Sequence, residues 1–138
     1  KTGLLMAAVN GCRGADLAAL YRTTADALAW LRGGFDQSAR DGEDFSYDRR
    51  WQLLTHAPCL ALDELTAFSV TPWAAERFER LIDERWRGMG EQLTICAFNA
   101  ASAERLQTGL PDIVESRLRD RRAQWIHVGG MDMRQVRG

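Results

Sequence analysis

The sequence has no apolar run approaching the ~20 residues that a membrane span requires, and it does not open on the basic, apolar and small-residue pattern of a secretory leader. It has few cysteines. Cys12, Cys59 and Cys96 are widely separated and form no C-x-x-C pair, which excludes a disulfide frame and fits thiols buried in a reducing cytoplasm. The two histidines, His56 and His127, have no ligand-spaced neighbours, so a zinc site is not expected. Charge of one sign is also missing. A formal net charge of −1 means that any nucleic-acid contact would depend on local basic patches. Internal repeats and low-complexity tracts are absent. What remains, in 138 residues that are 46% apolar and 27% charged, is the make-up of one ordinary globular domain.

Helical and strand-like stretches alternate. In "TGLLMAAVN", Leu4, Leu5, Ala8 and Val9 share a helical period, and Gly11 is placed to end the helix. "ADLAALY" is short and apolar enough for either state; a strand over 16–21 suits the alternation, followed by a helix capped by Thr24 and stopped at Gly33–Gly34. Residues 35–46 read as a polar loop and 47–57 as a helix closed by Pro58. "CLALDE" is an apolar strand. The clearest helix is "PWAAERFERLIDERWR", with Thr71 as N-cap, Pro72 preset at the first position and Gly88 as stop. Ala74, Phe78, Leu81, Ile82 and Trp86 form its expected buried stripe. A second buried strand is predicted at 92–99, short helices at 102–109 and 111–122, and a final strand at 125–128. Trp30, Trp51, Trp73, Trp86 and Trp125 fall on expected core positions.

Apolar strands alternating with helices predict an α/β fold: a three-layer parallel sheet with helices on both faces. In such sheets ligands sit beyond the carboxyl ends of the strands. Asp63 and Glu64 end one strand and Asn99 ends another, while Lys1 and Thr2 open the first helix. That set suits phosphate and magnesium chemistry. "KT" before a helix is the tail of G-x-x-x-x-G-K-[ST], in which Lys reaches the β- and γ-phosphates and the Thr hydroxyl ligates Mg²⁺. Asp63 is the candidate Mg²⁺ carboxylate, acting through the ion's water shell, Glu64 the candidate base for an attacking water, and Asn99 a hydrogen-bond partner for that water or the γ-phosphate.

Taken in order, these stretches resemble the AAA+ core of the DnaC-type helicase loaders and the IstB-like transposition helper ATPases. "KTGLLMAAV" resembles the helix after their P-loop, "CLALDEL" their Walker B strand, "TPWAAERFERLIDERW" the helix that follows, and "LTICAFN" their sensor strand, although Ala97–Phe98 replaces the usual Thr-Ser. "IVESRLRD" resembles the S-R-L segment, and "IHVGGMDMR" the closing strand and D-x-x-R turn. The resemblance implies a P-loop NTPase fold lacking its first strand here, with residues 1–138 expected to be part of a longer ATPase. It implies ATP and Mg²⁺ as cofactors, Lys1, Thr2 and Arg134 as nucleotide contacts, and Thr2 and Asp63 at the metal. Glu64, Asn99 and Arg117 become the catalytic set, with Arg117 reaching a neighbouring subunit's γ-phosphate. Implied partners are a homo-oligomer, a replicative helicase or transposase, and single- or double-stranded DNA.

Each assignment has a plainer competitor. Arg117 pairing with Glu115 or Asp120, Arg134 pairing with Asp132, and a solvated face for Arg117, Arg119, Arg121 and Arg122 are local alternatives. A non-hydrolysing docking module that uses helix 72–88 is the competing function.

Overall fold

A computed structural model describes residues 1–35, 46–66, 71–99 and 110–129. The expected helix at 102–109, the turn carrying Arg134 and all but the ends of the expected loop at 35–46 lie outside the described residues.

The first helix, α1 (Thr2–Gly14), continues through Gly11 rather than ending there. Its stop is Asp16, at φ 58°, which turns the chain so that the N–H groups of Asp16 and Leu17 bond back to the carbonyls of Arg13 and Cys12. This is a Schellman closure with Asp in the left-handed position that Gly more often fills. Because that closure uses Asp16 and Leu17, β1 (Ala19–Thr23) starts three residues later than expected. Thr23, not Thr24, caps α2 (Thr24–Gly33), accepting from the Asp26 N–H at 3.1 Å.

Helix α3 (Tyr47–His56) ends just before Pro58, and β2 (Cys59–Asp63) is buried along its whole length. Helix α4 (Pro72–Arg87) has the expected ends, with the Thr71 hydroxyl accepting from the Ala74 N–H at 3.1 Å. Its stripe departs from expectation at two positions. Arg85 is buried, 1% exposed, and Trp86 is only half-buried. The Arg85 guanidinium donates to the carbonyls of Leu54, Thr55, Ala57 and Leu93 and to the Thr94 hydroxyl, at 2.8–3.3 Å. It thereby joins the end of α3, the entry to β2 and the start of β3 (Leu93–Cys96). Burial lowers its pKa to about 10, although nearby Cys59 and Cys96 act in the opposite direction.

The strands form one parallel sheet in the order β1-β2-β3, with Ala19 opposite Cys59 and Cys59 opposite Leu93. Alternation along each strand divides the core into two layers. Ala19, Cys59 and Ala61 face α1, against Leu5 and Val9. Leu60 and Leu62 face the opposite layer, against Leu28 and Leu31 of α2, Leu54 of α3, Phe78 and Leu81 of α4, and Val114 of α5 (Asp112–Leu118).

Two expectations fail at the β3 side. β3 is shorter than 92–99 and only half-buried, with Leu93 50% exposed. Residues 125–128 form no strand; Ile126 is 81% exposed and Trp125 48%, so Trp125 is not a core residue. A strand needs a neighbour for its N–H and C=O groups. Among the described residues β3 pairs only with β2, and residues 125–128 pair with no strand.

Candidate functional site

The same alternation that sorts the core also builds the site. Asp63 continues the Cys59–Ala61 row of β2, Tyr21 the Ala19 row of β1, and Asn99 the row of Ile95 and Ala97, all on the α1 side of the sheet. The ladder extends past β3, because the Ala97 N–H donates to the Leu62 carbonyl at 2.9 Å and the Leu65 N–H to the Ala97 carbonyl at 3.0 Å. The start of α1 meets these rows at the carboxyl ends of the strands.

Four of the residues singled out from the sequence come together there. The Thr2 hydroxyl donates to Asp63 Oδ2 at 2.7 Å, and Lys1 Nζ donates to Asn99 Oδ1. Asp63 is 5% exposed and well supplied with donors. The Tyr21 hydroxyl reaches the same Oδ2 at 2.8 Å, and the Glu64 N–H donates to Oδ1 at 2.9 Å. The buried Thr24 hydroxyl donates to the Asp63 main-chain carbonyl at 3.2 Å. Burial pushes the Asp63 carboxyl up, but the hydrogen bonds from Thr2, Tyr21 and the Glu64 N–H outweigh it and hold the group below the ordinary carboxylate value. Burial together with the adjacent Asp63 raises the Tyr21 phenol.

Glu64 takes a left-handed conformation, φ 50°, between buried Asp63 and buried Leu65. A non-glycine residue there costs roughly 1–2 kcal/mol, a strain held by the ladder on both sides. Its side chain is exposed, whereas its N–H is committed to Asp63.

Arg117 does not join this cluster. It sits on α5, in the opposite helical layer, and donates from Nε and Nη2 to Asp83 Oδ1 of α4 at 3.0 and 2.8 Å. Neither Glu115 nor Asp120 is its partner: Glu115 pairs with Arg119 and Asp120 with Arg122. Trp86 lies between two guanidinium groups, Arg117 at 3.9 Å and Arg122 at 4.1 Å from its ring centre. The cluster of arginines is thus largely paired within its own surface. Arg134 lies outside the described residues.

Tyr21 lies in a stretch that reads only as apolar, and Thr24 reads only as a helix cap; their relation to Asp63 depends on the β1–β2 register, in which Tyr21 stands opposite Ala61 and Thr23 opposite Asp63.

The fold can be compared with solved structures. The chain is similar to AMPPCP-bound DnaA from Aquifex aeolicus, with a TM-score of 0.65 and 16% identity over 84% of this chain. The chain has the fold of an AAA+ P-loop core. It spans about a third of the length of that DnaA chain, 33%. No protein-family model matches the sequence, and no curated protein matches it. The parallel order of the strands brings the end of β2 and the start of α1 together at one rim of the sheet. No helix among the described residues is long and apolar enough to cross a membrane.

Proposed function

We propose that this chain is the core of a Mg²⁺-dependent ATPase that loads or remodels a DNA-bound partner. The observation that carries the reading is the pairing of Thr2 with Asp63 beside the pairing of Lys1 with Asn99. A lysine, a hydroxyl, a depressed carboxylate and an amide around one helix N-terminus are the donor set that a phosphate with its metal requires. α1 has neither a capping side chain nor an acidic residue in its first turn, so its leading N–H groups are left for an anion.

In this reading Lys1, the only lysine in the sequence, contacts the β- and γ-phosphates. Thr2 would ligate magnesium through its hydroxyl, and Asp63 would hold it chiefly through its waters. Magnesium, when bound, neutralises charge on the phosphates. Thr2 donates its hydroxyl hydrogen bond to Asp63, which would leave its oxygen lone pairs for the ion. Glu64, exposed beside Asp63, orients and deprotonates the attacking water, and Asn99 holds that water or the γ-phosphate. Arg117 is supplied to a neighbouring subunit's site in a homo-oligomer, and Arg134 contacts phosphate within its own subunit. A replicative helicase is the partner proposed first, with a transposase as the alternative, and single- or double-stranded DNA is the shared substrate surface. The setting is the cytoplasm.

The test is ATP binding and hydrolysis with and without Mg²⁺ for the wild type and Glu64→Gln. Loss of a general base should slow turnover by ~100-fold or more while nucleotide binding is kept. A Glu64→Gln protein indistinguishable from a non-hydrolysing wild type would favour the docking-module reading.

A further inference from the structure

Asp63 Oδ2 accepts two hydroxyl protons, one from Thr2 and one from Tyr21, and Tyr21 has no part in the function above. An ionised carboxylate offers about four lone-pair sites, and three here are taken, by Thr2 at 2.7 Å, Tyr21 at 2.8 Å and the Glu64 N–H at 2.9 Å. Each donor comes from a different place: the start of α1, the middle of β1 and the turn after β2. The Tyr21 hydroxyl reaches Asp63 diagonally across the parallel ladder, since Tyr21 stands opposite Ala61. Its ring packs beside Ala19, Cys59 and Ala61 on the α1 side, which sets the direction from which the hydroxyl arrives.

We propose that Tyr21 is a positioning residue for the metal-binding carboxylate: its hydroxyl fixes the plane of Asp63 so that the remaining lone pair faces magnesium or a magnesium-bound water. The inference rests on the Mg²⁺–ATP reading of the site. Thr2 and the Glu64 N–H each give the carboxylate one hydrogen bond, one to either oxygen. The phenol supplies a second fixed donor on Oδ2, from a strand that contributes no other residue to the site. Partners that orient a metal ligand from outside the metal's own shell typically account for ~10–100-fold in metal affinity.

The experiment titrates MgCl₂ at constant ATP and follows nucleotide binding, not turnover, by a fluorescent ATP analogue and by the ligand-induced rise in melting temperature. Wild type, Tyr21→Phe and Asp63→Asn are compared. Tyr21→Phe keeps the packed ring, and circular dichroism confirms that it is folded. The expected result is a Mg²⁺ midpoint raised about tenfold in Tyr21→Phe, with ATP binding in EDTA unchanged. A merely structural hydrogen bond would lower the melting temperature of the free protein and leave the Mg²⁺ midpoint where it is. If Asp63→Asn abolishes the Mg²⁺ dependence and Tyr21→Phe keeps the wild-type midpoint, the role of Tyr21 is overturned and the site reading stands. If wild type shows no Mg²⁺-dependent ATP binding, the site reading itself falls and takes this inference with it.

Discussion

The guanidinium of Arg117 grips a single oxygen of Asp83 with two of its nitrogens while lying 3.9 Å above the ring centre of Trp86. Arg87 occupies the other Asp83 oxygen at 2.8 Å, so one half-buried carboxylate holds two arginines. A finger supplied to a neighbouring subunit must first leave this seat. Arg117→Ala should cost only about 1 kcal/mol of stability, since the pair is half-exposed. If Arg117 acts in trans, the same change should reduce turnover in the assembled protein by ~1,000-fold and leave ATP binding intact. Wild-type turnover in Arg117→Ala would leave Arg117 only its structural contact with α4.

Replacing the buried Arg85 should be strongly destabilising. Arg85→Met removes the donor of three buried main-chain carbonyls, those of Leu54, Thr55 and Ala57, and of the part-buried Leu93 carbonyl and Thr94 hydroxyl, at ~1–3 kcal/mol for each buried group left unpaired. A loss of ~3 kcal/mol or more in urea unfolding is expected, allowing for relaxation. Arg85→Lys should recover little of it, because a single ammonium cannot span the fork of acceptors. A near-neutral Arg85→Met would mean that these carbonyls find other donors.

Asp63 makes stability pH-dependent in a definite direction. Its carboxyl is more acidic in the folded chain than its ordinary value of 3.8, so its stabilising contribution is complete above 3.8 and is lost as pH falls from there through the folded-state value. The stability gap between wild type and Asp63→Asn should therefore narrow as the pH is lowered below about 4. Denaturant midpoints measured at pH 7 and at several points below 4 check this; a gap that does not change with pH would contradict it.

The three thiols should differ in reactivity. Burial raises Cys59 to about 11, helped by the adjacent Cys12 thiol, and raises Cys96 to about 12. Cys12 is half-exposed at the end of α1. At pH 8 a maleimide should label Cys12 first and the buried Cys59 last, only on unfolding, with the half-buried Cys96 slowed by its raised pKa. Mass spectrometry of the time course reads the order. Rapid labelling of Cys59 would show that the α1–β2 packing opens.

Much of this protein is determined locally. Thr71, Pro72 and Gly88 bound α4 because cap chemistry acts within one turn of chain, and the unbroken apolar run of β2 admits only a strand covered on both faces. The Asp63–Glu64, Asn99 and Lys1–Thr2 positions at element ends could be picked out for the same reason: parallel α/β order sends those ends to one rim. Local pattern misplaced what depends on partners distant in sequence. Gly11 reads as a stop, but the turn closes at Asp16, where two hydrogen bonds can form. Arg85 falls outside the expected buried stripe of α4, and only the packing of α3, β2 and β3 brings their carbonyls around it. Arg117 reads as a partner for acids on its own helix, and α4 presents Asp83 instead. Tyr21 is one more apolar-strand residue until the β1–β2 register sets its hydroxyl against Asp63. Caps and periodicity act over a few residues, so the sequence alone determined the elements and the rim where they end; hydrogen bonds between segments exist only after packing, so the tertiary structure decided which side chains meet there.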